Sequence, residues 1–264
     1  MNIFIYELKQ NKKNMIIWGI TYIALISVFM QFLSSFLEQT DSLKAILDNM
    51  PAAYMKAMNF DIGIIFSKMG FFSFVYSYVI LIGAIQAFHI GCNLMSKEKR
   101  LKAAEFLMTK PKTREKIFLM KFLTGIALLI FNFAIVYVTS LIFLDIGNDN
   151  SINMKTINLI CTSYLLVQII FYTLAIFIGC AMNKIKSVIS VTMGVTLGLF
   201  ILGMVEKITG SEILRCLVPY SYFEGGYIIE NNSYNSTYLY ITMVISVVFT
   251  IGAYITYKKK DIKI

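Results

Sequence analysis

Six long stretches without a single charged residue dominate the chain, at 15–37, 69–95, 122–144, 156–183, 187–205 and 238–257. They hold 23, 27, 23, 28, 19 and 20 residues. A helix rising 1.5 Å per residue needs about 20 apolar residues to cross a hydrocarbon core of ~30 Å, and each stretch meets that length or falls one short. Lipid offers nothing to an open backbone group, so stretches this long and evenly apolar predict helices and not the ~10-residue alternating strands of a membrane barrel. The expectation is an all-α integral membrane protein of six transmembrane helices, a single domain over 1–264. Its longer connections are 38–68, 96–121, 145–155 and 206–237. All three prolines, Pro51, Pro111 and Pro219, lie between spans.

Composition agrees: 58% of the 264 residues are hydrophobic and 15% charged, against about 25% charged in soluble domains. No connection exceeds 32 residues, too few for a soluble catalytic domain. A net charge of +9 raises the question of nucleic acid, which sorting the charges by segment removes. The N-terminus, 96–121, 184–186 and the tail sum to +13, and the alternate connections 38–68, 145–155 and 206–237 sum to −4. Lys and Arg accumulate on the cytoplasmic side, so both termini are expected inside. The stretch from Met15 is too long for a signal core of roughly 7–15 residues and lacks a small-x-small site after it, so it reads as a retained span. Ahead of it, Ile3, Phe4 and Leu8 share one helical face with Lys9, Lys12 and Lys13 close behind. That pattern suggests a short amphipathic interfacial helix, with an unstructured basic start as the alternative. Cys92, Cys161 and Cys180 sit in spans and Cys216 stands alone in a connection, which is no disulfide or metal framework.

The search for chemistry excludes more than it finds. There is no GxxxxGK[ST] loop, so ATP-driven work requires a partner that binds ATP and magnesium. One histidine, His89, rules out an HExxH zinc protease. The spans contain no Asp, Glu, Lys or Arg, which weighs against intramembrane carboxylate chemistry and an ion-coupled secondary transporter. They do carry neutral polar stripes at helical spacing: Ser27, Gln31 and Ser34; Gln86, His89 and Asn93; Tyr164, Gln168 and Tyr172. Gln31, Gln86, His89, Gln168 and Tyr172 are candidates to line a translocation path for amphipathic cargo. Hydrogen bonding between helices explains the same residues, and His89 reads equally as a packing or interfacial residue. Ser190, Gly194 and Gly198 form a small-residue ridge suited to close helix packing, within this chain or against a second subunit.

The connection SKEKRLKAAEFLMTKPKTREKIFLMK (96–121) carries 9 of the 24 basic residues. Ser96 is a possible cap, Leu101, Ala104 and Met108 share a face, Pro111 ends that helix, and Thr113 can cap the next. Charge alone would serve as a topology signal or a lipid headgroup contact, but would not call for a helix, a proline and a second helix. Here the chain resembles the permease subunits of the ABC-2 exporter family, whose first inner loop reads E-x3-G-T-x-E-x-L-L-x2-P-x2-R-x2-I-x3-K. Glu98, Glu105, Leu107, Met108, Pro111, Arg114, Ile117 and Lys121 fall at matching positions, with Lys102 and Ala103 in place of the Gly-Thr pair. The segment 48–60 and Pro219-Tyr-Ser-Tyr-Phe223 are similar to the family's outer helix and its Pro-aromatic element.

The resemblance implies a type V exporter-like bundle in the bacterial plasma membrane. Its coupling helix, carried by Glu98, Leu101, Ala104, Glu105, Met108, Pro111 and Arg114, would dock on a separate cytoplasmic ABC ATPase present in two copies. It further implies a second permease subunit, identical or homologous, and surrounding membrane lipids, with no nucleic acid. No catalytic residue, metal or cofactor is expected on this chain, and ATP with magnesium on the ATPase. The cargo would be an antimicrobial peptide, a drug or a lipid-like compound. An ATP-independent immunity or binding protein and an ion-coupled transporter are the rival expectations. The 206–237 connection, rich in Ile, Leu and aromatic residues, is expected to fold as short helices forming a lid.

Overall fold

Nothing between Ile3 and Trp18 can break a helix, since the segment has neither Pro nor Gly. The amphipathic segment therefore does not form a separate helix but runs without interruption into the first span, giving α1 (Ile3–Glu38). The structure, a computed structural model, describes residues 3–58, 60, 62–100, 113–145, 153–182 and 185–259. After α1 come three short helices, α2 (Thr40–Leu47), α3 (Ala52–Ala57) and α4 (Ile62–Ile65). The remaining long helices are α5 (Lys68–Arg100), α6 (Arg114–Asp145), α7 (Met154–Ala181), α8 (Val188–Thr209) and α11 (Ser236–Lys259). Between the last two lie α9 (Glu212–Leu217), a 3-10 turn (Pro219–Ser221) and α10 (Gly225–Asn231). Six of these helices are long and apolar enough to cross a membrane, and among the described residues there is no strand.

Local chemistry sets the boundaries. Asn153 caps α7 by accepting from the Lys155 amide, and Ser187 caps α8 by accepting from the Ser190 amide, each meeting an orphan donor of the first turn. Gly210 ends α8 with φ +64°, in the left-handed region that glycine enters without strain. Thr113 does cap α6, its Oγ1 accepting from the Lys116 amide at 3.4 Å. Ser96 does not act as a cap. It lies inside α5 and is buried, because the uncharged stretch that ends at Met95 is only the membrane-embedded part of a longer helix.

The most extensive packing is between α5 and α7, which run parallel. These two helices are largely enclosed, while α1, α8 and α11 keep most of their surface outward. Ile16, Ile17 and Ile20 on α1, Met193, Leu197 and Ile201 on α8, and Val244, Val247 and Ile251 on α11 are exposed, as expected for faces covered by lipid or another subunit. The close approach of α5 to α7 depends on glycine. A Cβ at Gly83 would stand 2.3 Å from Cε2 of Tyr164, and one at Gly91 would stand 2.8 Å from the Tyr172 carbonyl oxygen.

A polar knot lies at the α1, α5 and α7 junction. Tyr22 donates to Oε1 of Gln86 at 2.6 Å, and its ring meets that of Tyr164 edge-on. Gln168 donates through Nε2 to the Gly83 carbonyl at 3.3 Å. Tyr22→Phe is expected to cost about 1–3 kcal/mol, because the buried Gln86 oxygen loses its donor where no water replaces it. Thermal unfolding in detergent checks this, and a melting profile unchanged from wild type would show the bond to be dispensable.

Candidate functional site

Two regions combine charge with structure, one at each end of the bundle. At the lysine-rich end, the helices that flank the 96–121 connection are held firmly. Lys121 at the start of α6 is buried and donates through Nζ to the Leu94 carbonyl of α5 at 2.7 Å. Lys97 of α5 reaches Gln10 and lies 3.7 Å from the carboxylate of Glu7, itself buried, on α1. Lys258 of α11 pairs with Glu115 of α6 at 2.8 Å. Buried ions such as Lys121 and Glu7 are retained only where they have partners, the Lys258–Glu115 pair is exposed, and together these contacts link α1, α5, α6 and α11 at this end of the bundle. Arg114 opens α6 here, and Glu98 falls in the last turn of α5. Leu101, Ala104, Glu105, Met108 and Pro111 lie outside the described residues.

At the opposite end the 206–237 segment folds as the expected short helices. Val218, Pro219, Ser221, Tyr222, Phe223 and Ile228 are buried against the bundle. Asn232, with φ +48°, ends α10 and accepts from Asn153 and Thr156 at the start of α7. Burial raises the phenols of Tyr220 and Tyr234, and pushes that of Tyr222 up to about 12, so all three remain neutral hydrogen-bond donors near neutral pH.

Three neighbouring spaces border this cap. The widest is an open groove of about 720 Å³ between α3, α8 and α9, where Met50, Met55 and Phe60 face Lys56, Glu206, Lys207, Arg215 and Glu224. A second, of about 350 Å³, lies between α4 and α10 and is bordered by Phe74, Arg215, Glu224, Tyr227 and Glu230. The third is a crevice of about 60 Å³ running down between α5, α7 and α8, lined by Tyr76, Ser77, Ser163, Phe200, Tyr220 and Phe223. Beside the open groove Ser221 donates to the buried Glu206 at 2.7 Å, and Arg215 pairs with Glu224 at 3.0 Å. Among the described residues no group of His, Cys, Asp and Glu is placed to hold a metal ion.

The candidate path residues are not brought together around any of these spaces. Gln86, Gln168 and Tyr172 are fully enclosed, and Tyr172 donates to the Phe122 carbonyl at 2.8 Å, so in this conformation they join helices instead of lining a passage. Gln31 is exposed on α1 and His89 is half-buried. The ridge of Ser190, Gly194 and Gly198 does not pack against the described residues: a Cβ at either glycine would meet none of them within 4 Å. The charged floor of the groove escaped the sequence reading, because Glu206, Lys207, Arg215 and Glu224 look there like ordinary loop charges. The signal available was their position in an otherwise apolar connection next to Pro219.

Six hydrophobic helices with outward apolar faces and interior polar contacts define a multi-pass membrane protein. The sequence matches the family described as ABC-2 family transporter protein over residues 1–262. The chain belongs to that family, and is thus a transmembrane subunit of an ABC transporter, a kind of subunit that works with an ABC ATPase. No curated protein matches it significantly.

Proposed function

We propose that the chain is the permease of an ATP-driven exporter that moves amphipathic compounds, whether antimicrobial peptides, drugs or lipid-like molecules, across the bacterial plasma membrane. The observation that carries this reading is the pairing, in one family member, of the signature-bearing 96–121 connection at one end with a chamber of mixed apolar and charged lining at the other. Two ATPase copies, carrying ATP and magnesium, dock on the lysine-rich end, and the chain itself holds neither. The +13 against −4 split supports an orientation with both termini in the cytoplasm and the capped end outside. A second permease, identical or homologous, seats against the open ridge of α8, and lipids cover the remaining apolar faces. Because Gln86, Gln168 and Tyr172 are enclosed, the path runs between the two permeases and not through the interior of one.

Sidedness has a direct check. Cys216 is exposed while Cys92, Cys161 and Cys180 are buried. An impermeant thiol reagent added to intact cells is expected to label wild-type protein, and to fail on Lys112→Cys in a Cys216→Ser background. The reverse pattern would invert the topology. For the activity, permease and ATPase reconstituted in vesicles are expected to move an amphiphile only with ATP. Gradient-driven movement by the permease alone would establish a secondary transporter, and protection of cells lacking the ATPase would establish an immunity protein.

A further inference from the structure

Among the described residues, Glu224 alone borders all three spaces at the capped end. It already holds a cation: a single Arg215 nitrogen, Nη2, bonds it at 3.0 Å, with the guanidinium 5.0 Å from the centre of the Tyr238 ring. The grip is partial, because the Arg215 Nε bonds none of the described residues, and the two side chains keep 30% and 28% of their surface exposed. Such half-exposed pairs are weak and exchange readily.

We propose that Glu224 is the headgroup site for a cationic amphiphile, whose ammonium or guanidinium group takes the place of Arg215 while its apolar part enters the crevice beneath Tyr220 and Phe223. Two observations favour a cation. The space between α4 and α10 sets Glu224 and Glu230 against Arg215 alone and presents the rings of Phe74 and Tyr227, whose faces attract cations. The connections of this side sum to −4, which draws cations toward it. The inference deepens the exporter reading by naming a cargo class, but binding itself requires no ATPase.

The test uses the full-length permease alone in phosphatidylcholine nanodiscs. An environment-sensitive fluorophore is attached to Cys216, adjacent to Arg215, and octylammonium, octyl sulfate and octanol are titrated. Octylammonium is expected to give a saturable signal, weakened at least about tenfold in Glu224→Gln and strengthened in Arg215→Gln, where the competing internal cation is gone. Glu224→Asp should retain much of the affinity, which separates loss of charge from loss of fold. Octyl sulfate and octanol should only partition without saturation. Saturable octyl sulfate binding abolished by Arg215→Gln would overturn the proposal in favour of an anion site, and equal octylammonium affinity in wild type and Glu224→Gln would remove Glu224 from recognition. Binding that persists where the reconstituted complex shows no ATP-driven export would sustain this site and count against the exporter reading alone.

Discussion

Leu101→Asp or Glu105→Lys is expected to release the ATPase and abolish ATP-driven transport while leaving the six-helix bundle folded. Glu105 falls at a signature position of the 96–121 connection, and Leu101 has the sequence spacing that predicts one helical face with Ala104 and Met108. The described ends of that connection are anchored by Lys121 on the Leu94 carbonyl and by Lys97 beside Glu7. Force delivered to the connection therefore reaches α1, α5 and α6 together, as rigid-body coupling requires. Removing one partner of a buried interface charge pair commonly costs about 2–5 kcal/mol, roughly a thirtyfold or greater loss of affinity. The measurement is ATPase copurified per permease, with substrate-stimulated ATP turnover in nanodiscs. If the connection were only a topology signal, Glu105→Lys would make it more positive and leave both quantities at wild-type values, which would eliminate it as the coupling element.

Gly91→Leu is expected to destabilise the protein by about 3 kcal/mol, at the upper end of what overpacking usually costs. Even the first added carbon would stand 2.8 Å from the Tyr172 carbonyl oxygen and 2.9 Å from the Ala175 Cβ. One of these atoms is backbone, so no rotamer change clears the way and α5 must move from α7, the most extensive contact of the fold. Gly194→Leu is the matched control. A Cβ there meets none of the described residues within 4 Å, so the isolated chain should unfold at the wild-type temperature, while association of two permeases through that ridge should weaken. Thermal unfolding followed by size-exclusion chromatography in detergent reads both. Equal melting temperatures for wild type and Gly91→Leu would show that the two helices are not held together at this point.

How much was legible in the sequence depended on whether the signal was local. Span number follows from length and hydropathy, quantities a single helix carries by itself, and the signature around Glu105, Pro111 and Arg114 marks the family because its residues are neighbours in the chain. The end of α5 was not legible, since the uncharged stretch stops at Met95 and the helix continues past it to Arg100, whereas the start of α6 at Arg114 was, because Thr113 marks it as a local cap. The polar stripes were legible as stripes but not as to what they face. Gln86 and Tyr172 sit at helical spacing whether they bound a passage or another helix, and only the parallel docking of α5 and α7 encloses them.

The sequence by itself determined an all-helical membrane protein of six spans, its charge asymmetry and its family, because these rest on composition and short-range order. Tertiary structure decided which faces are interior, that the glycines of the α8 ridge meet none of the described residues, and that Glu206, Lys207, Arg215 and Glu224 converge on one chamber. Those four residues come from the end of α8 and from the α9–α10 cap. Charges from separate elements become a single site only when the cap folds back over the bundle, and no pattern along the chain encodes that distance.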